Sequence, residues 1–291
     1  MLRRRSIAVM GLMFALALPA AGQEVMYGCI GFGTPNGAFG TVDQTDATFT
    51  LIGDPTSGSD HLSGLTFDSS GRLFATIPTS VNSEKATTLI EINPNDGSLK
   101  LIIGHVLNGT TNLRITDLAT QPSTDRLFGI DNNGSLFTIN KSTAAATLIG
   151  PTTLDEGGIA FDPDGTLYLA TTGSKLARLD PATAKPIVGQ PMLDLTDCID
   201  GLAVRPSDGA LFGTACEDNN AIYLINAATG ELTLLGKPDN FDATDLAFKI
   251  APLGVRAPAV SPAALALIAA GLAAGGVVAL TKRRRSLTAG A

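Results

Sequence analysis

The segment GIAFDPDGTLYLA, residues 158–170, shows how this 291-residue chain folds. Two short apolar runs flank the turn DPDG, in which proline presets φ and glycine supplies the positive φ that a tight hairpin needs. The same order of apolar run, turn and apolar run returns in GLTFDSSGRLFAT at 64–76, DLATQPSTDRLFG at 117–129 and GLAVRPSDGALFGT at 201–214. Each copy predicts a hairpin of two buried β-strands.

A second hairpin follows each copy of the first. Its strands alternate apolar and polar residues across a polar turn, which is the period-2 pattern of half-buried strands. The copies span residues 89–104, 136–150, 176–189 and 222–236. Their closing glycines, with one near the start of the chain, are Gly53, Gly104, Gly150, Gly189 and Gly236. Four short strands repeated every 39 to 51 residues are typical of a β-propeller blade. A β-sandwich or two unrelated meanders would not require this four-part order to return.

The two ends of the array are incomplete in complementary ways. Residues 26–53 contain the second strand and the second hairpin of a blade but lack its first strand, whereas residues 244–249 form a first strand with nothing after it. We therefore predict that residues 242–250 complete the blade begun at 25–53, so that the ring closes without exposed sheet edges. The predicted fold is an all-β, five-bladed β-propeller with shared-strand ring closure, over residues 23–252.

The phrase at residues 158–168 resembles those of NHL, YVTN and gluconolactonase-like propellers, and the resemblance extends over most of residues 25–250. It implies a propeller fold, while the families that share the phrase have unrelated activities. In gluconolactonase-like propellers, carboxylates hold a central divalent metal that serves catalysis. The resemblance therefore keeps a metal-dependent hydrolase among the functions to be considered.

Both ends of the chain lie outside the predicted propeller. Residues 1–22 combine an arginine-rich start, a short apolar run and small residues before Gln23, as a secretory signal peptide does; the run is too short for a first transmembrane helix. Residues 263–281 carry no charge and are long enough for a transmembrane helix, which their composition and basic flank favour over a buried soluble helix. The basic cluster that follows predicts a cytoplasmic tail at 282–291. Its members are Lys282, Arg283, Arg284 and Arg285.

The linker at residues 253–262 and the helix after it resemble a carboxy-terminal sorting signal of the PEP-CTERM type, in the variant with two spaced prolines. Pro258 and Pro262 are these prolines, and the Pro-Glu-Pro of the name-giving group is absent from the linker. The resemblance implies processing by an exosortase-like membrane protease in a Gram-negative-like bacterium. Two localisations follow: anchored in the inner membrane with the propeller outside the cytoplasm, or at the cell surface or beyond it after removal of the tail.

The net charge of the whole chain, −7, is less negative than that of the propeller because the two tails are basic. Seven of the 20 basic residues lie in the tails, so residues 23–257 hold 13 basic against 27 acidic side chains, a net charge of −14. A surface this acidic repels the phosphates of nucleic acid, which bind clustered Lys and Arg. We therefore expect no nucleic-acid partner. The charge suits solubility outside the cell and attraction of cations or basic partners.

The chain has three cysteines. The predicted hairpin at 201–214 places Ile199 opposite Cys216, with Cys198 beside it. In an oxidising compartment these two cysteines are candidates for a disulfide. Cys29 has no histidine near it in sequence, and we expect it to be a small buried apolar residue rather than a nucleophile.

Acidic residues lead into every predicted innermost strand. Because the innermost strands of a propeller start on the same face around the central channel, these residues converge although they are far apart in sequence. Converging carboxylates are costly unless a cation or hydrogen-bond donors offset them, and Ca²⁺ binds such oxygen ligands. The competing interpretation is that they cap turns by accepting hydrogen bonds from backbone amides. The candidate calcium ligands are Asp60, Asp117, Glu156, Asp200 and Asp245.

The sequence contains no conventional catalytic motif: HExxH, GxSxG and the P-loop pattern are all absent. We therefore expect an exported, envelope-associated propeller that binds a protein, a glycan or a matrix component through loops on one face. Two alternatives remain. One is a metal-dependent lactonase-type hydrolase acting at the channel mouth, and the other is a purely structural surface or matrix protein.

Overall fold

The computed structural model describes residues 24–33, 36–78, 87–216, 220–238 and 241–249. In these ranges the chain is all-β, with twenty-two strands and no helix. The predicted signal peptide, the linker with Pro258 and Pro262, the predicted transmembrane helix and the basic tail fall outside them. No membrane-spanning helix, judged by length and apolar character, occurs among the residues just given.

Twenty strands of the described chain form five four-stranded antiparallel sheets, which are the blades of a five-bladed propeller. Blade I contains β22 (Phe241–Phe248), β1 (Met26–Gly33), β2 (Phe39–Val42) and β3 (Phe49–Gly53). Blade II contains β4 (Ser63–Phe67), β5 (Leu73–Ile77), β6 (Thr88–Ile92) and β7 (Leu99–His105). Blade III contains β10 (Ile115–Thr120), β11 (Leu127–Asp131), β12 (Ser135–Ile139) and β13 (Ala146–Pro151). Blade IV contains β14 (Gly157–Phe161), β15 (Leu167–Thr171), β16 (Lys175–Leu179) and β17 (Leu193–Asp194). Blade V contains β18 (Ile199–Val204), β19 (Leu211–Ala215), β20 (Ile222–Ile225) and β21 (Leu232–Gly236). A short ribbon of β8 (Leu107–Asn108) and β9 (Thr111–Asn112) lies between blades II and III.

Blade I is built from both ends of the described chain. β1 pairs antiparallel with β22, with Met26 opposite Phe248 and Gly28 opposite Leu246, and it pairs with β2 on its other side. The prediction that residues 242–250 complete the blade begun at 25–53 is confirmed. Backbone hydrogen bonds therefore close the ring between the first and the last described strands, as predicted.

Apolar layers between neighbouring blades form the core. Phe128 on β11 meets Phe161 on β14 edge to face, with ring centroids 5.0 Å apart. Phe212 on β19 and Phe248 on β22 are similarly close, at 5.4 Å. The recurring Leu-Phe pair of the second strands thus places its phenylalanine between two blades, where burial of one ring contributes about 1.5–3 kcal/mol.

The first hairpins close through the predicted turns. Gly71, Gly165 and Gly209 have φ values of +82°, +96° and +75°, in the left-handed region that glycine enters without steric cost. In blade III the same turn position is taken by Asp125, with φ +59°. Aspartate tolerates this region better than most residues because its short side chain hydrogen-bonds locally.

The outer strand of blade IV differs from the prediction. The repeat placed it inside the segment 176–189, whereas it is Leu193–Asp194. Pro186 makes only one isolated bridge, because proline has no N–H with which to continue the ladder. The chain turns at Gly189 (φ +82°) before it returns to the sheet.

Candidate functional site

Five equivalent residues, one on the innermost strand of each blade, meet around the axis. We refer to them as the inner ring, and they are Gly64, Asp117, Gly158, Gly201 and Asp245. The innermost strands contact one another in the order β4, β10, β14, β18, β22 and back to β4. The ring is tight, because a Cβ atom on Gly158 would lie 2.6 Å from the carbonyl carbon of Gly201, and one on Gly64 would lie 2.9 Å from the amide nitrogen of Leu118.

β-bulges accompany the inner ring in four blades. The pairing of the innermost strand shifts register beside Gly64, Asp117, Gly201 and Asp245, whereas β14 pairs regularly through Gly158. A bulge leaves one residue out of the ladder and bends the strand. The first residues of these four strands therefore run in a different direction from the rest of the strand.

The two acidic members of the inner ring are the most deeply buried carboxyl groups of the channel. Asp117 is fully buried, and its two oxygens accept hydrogen bonds from the amides of Leu118 and Ile159, each at 2.6 Å. Asp245 is 1% exposed. It accepts from the amide of Leu246 at 2.7 Å and from that of Leu65.

The two carboxyl groups also influence each other's ionisation. Burial raises the pKa of Asp117 well above its ordinary value, and the charge of Asp245 raises it further. Burial likewise raises the pKa of Asp245 well above its ordinary value. The pKa values of both carboxyl groups are therefore raised, chiefly because the groups are buried.

Acidic side chains also gather at the mouth of the channel, where the innermost strands begin. Glu156 precedes β14 and is about half-buried; burial raises its pKa, and the charge of Asp200 on β18 raises it further. Arg114 lowers the pKa of Glu156, while Asp131 and Asp155 raise it. These five residues therefore share one electrostatic environment, which we refer to as the mouth cluster.

The candidate calcium ligands lie at three places in the structure. Asp117 and Asp245 accept hydrogen bonds from backbone amides in the inner ring, and Glu156 and Asp200 lie in the mouth cluster. Asp60 precedes β4, where its backbone carbonyl accepts a hydrogen bond from Thr56 at 2.7 Å. Across the described ranges, no group of three or more His, Cys, Asp and Glu side chains is arranged to hold a metal ion. The oxygens of Asp117 and Asp245 accept hydrogen bonds from backbone amides, as the capping interpretation expects, and calcium binding stays a prediction.

A disulfide joins Cys198 and Cys216 beside the mouth, with Cα atoms 5.5 Å apart. The expected register was off by one residue, because the bulge at Asp200 places Ile199 opposite Ala215. Cys198 then faces Cys216 directly, and the amide of Cys216 donates to the carbonyl of Cys198 at 3.1 Å. The bulge therefore brings the two sulfurs together.

Cys29 is a buried free thiol on β1. Its sulfur lies 3.4 Å from the hydroxyl of Thr244, and burial raises the pKa of the thiol to about 12. A thiol that stays protonated and inaccessible is not a nucleophile. Cys29 fills space beside the inner ring, as the sequence suggested.

Sequence reasoning identified the acidic members of the inner ring but missed its glycines. The signal was present in the aligned phrases GLTF, DLAT, GIAF, GLAV and DLAF, which begin with glycine or aspartate in one column. At the three glycines the backbone of a neighbouring strand comes very close, and at the two aspartates the side chain accepts a hydrogen bond from an amide of a neighbouring strand. Asp131 and Arg114 of the mouth cluster had no comparable signal, because neither recurs in the repeat.

Comparison with known proteins found similarity to solved structures only. No family model matches the sequence, and no curated protein matches it either. Among solved structures, the chain is similar to a glutaminyl cyclase from Myxococcus xanthus, at 15% identity and TM-score 0.45, over 65% of this chain and 71% of that chain. It is also similar to a gluconolactonase from Xanthomonas campestris, at 16% identity and TM-score 0.46, over 77% and 79%. A protein of unknown function from Bacteroides thetaiotaomicron matches at 12% identity and TM-score 0.49, over 76% and 64%.

Proposed function

We propose that this chain is an exported, envelope-associated binding module whose propeller recognises a protein, a glycan or a matrix component. The proposal rests on the hydrogen bonds that the two most deeply buried carboxyl groups of the channel accept. All four oxygens of Asp117 and Asp245 accept hydrogen bonds from backbone amides, so the channel centre serves the fold. We therefore assign recognition to the side chains and loops at the mouth, which the rigid propeller holds in place.

The mouth cluster supplies the chemistry of recognition. Glu156 is surrounded by three further carboxylates and one arginine, and the propeller as a whole carries a net charge of −14. Carboxylates accept hydrogen bonds from sugar hydroxyl groups and attract basic side chains. The surface is therefore suited to a hydroxyl-rich glycan or to a basic segment of a protein.

Export is the second part of the proposal. It rests on the signal-like residues 1–22 and on the disulfide beside the mouth, since disulfides persist mainly in oxidising compartments. We further propose that the tail with Pro258 and Pro262 is processed by an exosortase-like protease at the inner membrane. Mass spectrometry of the protein from its host tests both: loss of residues 1–22 supports export, and loss of the apolar tail supports sorting.

A lactonase-type hydrolase is the second candidate. The observation that favours it is the raised pKa of Glu156 beside Asp200, because carboxyl groups with perturbed pKa values in a cleft are candidates for acid–base catalysis. In that case Asp200→Asn should abolish hydrolysis of lactones measured with added divalent cations. Absence of turnover in the wild type would remove this candidate.

Binding is tested with the full-length protein on an array of glycans and on immobilised basic peptides. We expect Glu156→Gln to weaken binding at least tenfold, and Glu231→Gln, a matched change in the exposed turn before β21, to leave it unchanged. Equal binding by both variants would contradict recognition at the mouth. Binding to neither type of probe by the wild type would favour the purely structural role.

A further inference from the structure

We infer that Asn108 is a site of spontaneous deamidation, where the asparagine is converted to aspartate or isoaspartate without an enzyme. The modification adds a negative charge to the face of the propeller that carries the mouth cluster. This inference does not depend on the proposed function, because it concerns only the chemistry of one turn and the groups around it.

The reaction is an attack of the backbone on the asparagine side chain. The amide nitrogen of the following residue bonds to the side-chain carbonyl carbon, the bond from that carbon to the side-chain nitrogen breaks, and ammonia leaves with the proton of the attacking amide. Water then opens the cyclic succinimide at either of its two carbonyl carbons, which gives aspartate or isoaspartate. Asparagine is among the thermolabile residues of proteins. A glycine in the following position favours the attack, because it has no side chain to shield its amide.

The sequence contains three asparagines that are followed by glycine, and the structure places them in different surroundings. The pairs are at residues 36–37, 108–109 and 133–134. Gly37 is buried, and a Cβ atom on it would lie 2.2 Å from the carbonyl oxygen of Asp60. Gly134 is also buried, and its amide donates a hydrogen bond to the carbonyl of Asp131 at 2.9 Å. The fold therefore protects the first and the third pair.

The second pair is open to solvent. Asn108 is the last residue of β8, and Gly109 begins the turn that joins β8 to β9. Gly109 is exposed, and a Cβ atom on it would have no atom within 4 Å. In the part of the chain that the structure describes, the amide of Gly109 donates no hydrogen bond. The attacking nitrogen at this pair is therefore neither shielded nor engaged.

The base of the ribbon is fixed, so the change stays at its tip. Val106 and Leu113 flank the two strands and are 0% and 6% exposed. The amide of Leu113 donates to the carbonyl of Val106 at 3.1 Å, and Thr87 forms a backbone hydrogen bond with each of them at 2.8 Å. At the tip, Asn108 pairs with Thr111. Isoaspartate adds a methylene group to the main chain, which disrupts this pair and leaves the base in place.

The ribbon lies on the mouth side of the propeller. It belongs to the connection from β7, the outer strand of blade II, to β10, the innermost strand of blade III. This connection reaches the mouth, because the innermost strands begin there, and it ends with Arg114 of the mouth cluster. A carboxylate at residue 108 therefore adds to the acidic groups of this face as the protein ages.

The experiment is incubation of the folded full-length protein at mildly alkaline pH, followed by tryptic digestion and mass spectrometry. Trypsin places the two asparagines to be compared on separate peptides, residues 101–114 and 127–141, and fragmentation locates the change in each. We expect Asn108 to deamidate about tenfold faster than Asn133, because the amide of Gly134 must first give up its hydrogen bond. Equal rates, or a faster reaction at Asn133, would overturn the inference.

Two controls separate the effect of the fold from that of the local sequence. In concentrated urea, Asn108 and Asn133 should react at similar rates, because neither amide is then protected; a difference as large as in the folded protein would overturn the inference. In the folded protein, Gly109→Ala should slow the reaction at Asn108, since the methyl group shields the attacking amide, whereas Thr110→Ala, a matched change in the same turn, should not. An unchanged rate in Gly109→Ala would contradict attack by this amide.

Discussion

Replacing Gly158 by alanine would add a methyl group where the inner ring has no space. The new Cβ would lie 2.6 Å from the carbonyl carbon of Gly201, 2.6 Å from the amide nitrogen of Leu202 and 2.8 Å from the Cα of Gly201. All three atoms belong to the backbone of blade V, so no side-chain rotation relieves the contact. Ordinary contacts need about 3.5–4.0 Å, and blades IV and V must therefore separate by about 1 Å. Overpacking of this kind costs about 1–3 kcal/mol, and we expect a value near the upper end, about 3 kcal/mol.

Urea unfolding followed by circular dichroism measures this cost, since the chain has no tryptophan to serve as a fluorescent probe. The control is Gly109→Ala, whose Cβ would have no atom within 4 Å and whose penalty comes only from a left-handed φ of +64°, about 1 kcal/mol. If Gly158→Ala destabilises no more than Gly109→Ala, the close approach of the innermost strands is not what requires glycine there.

Three further predictions concern the rest of the propeller. Reducing the disulfide of blade V should lower the free energy of unfolding by about 3 kcal/mol, because the bond closes a loop between two cysteines that are 18 residues apart in sequence. Equal urea midpoints with and without reductant would contradict this. Burial raises the pKa of Glu91, but hydrogen bonds from Arg72 and Lys100 outweigh it and leave the pKa below its ordinary value. Glu91→Gln should therefore cost about 1–2 kcal/mol at pH 7, a difference from the wild type that should shrink in unfolding measurements as the pH falls below about 4. Ile102 is 60% exposed on the outer strand β7, so Ile102→Lys should change stability by less than about 0.5 kcal/mol and reduce aggregation in light scattering.

The blades could be predicted because their signals are local. Alternation along each strand and the Pro and Gly residues of the turns act over a few residues, so the copy at 158–170 was enough to define the hairpin. Ring closure could be predicted as well, because residues 26–53 and 244–249 each lack what the other contains. The outer strand of blade IV was misplaced because Pro186 interrupts the ladder, an effect that the repeat alone did not reveal.

The candidate site was only partly predictable. The sequence indicated that Asp117 and Asp245 approach the axis and that Cys198 and Cys216 lie near each other. It did not indicate the bulge at Asp200 that aligns the cysteines. A bulge depends on how a strand packs against the neighbouring blade, and the repeat pattern contains no information on that packing.

The sequence by itself determined five blades, their turns and the sharing of one blade by the two ends of the propeller. Only the tertiary structure decided what the central carboxyl groups do. Asp117 bonds to an amide 42 residues away and Asp245 to one 180 residues away, so their partners depend on which strands become neighbours around the axis. Hydrogen bonds need atoms placed to within a few tenths of an ångström, and such distances between remote segments exist only once the ring has closed.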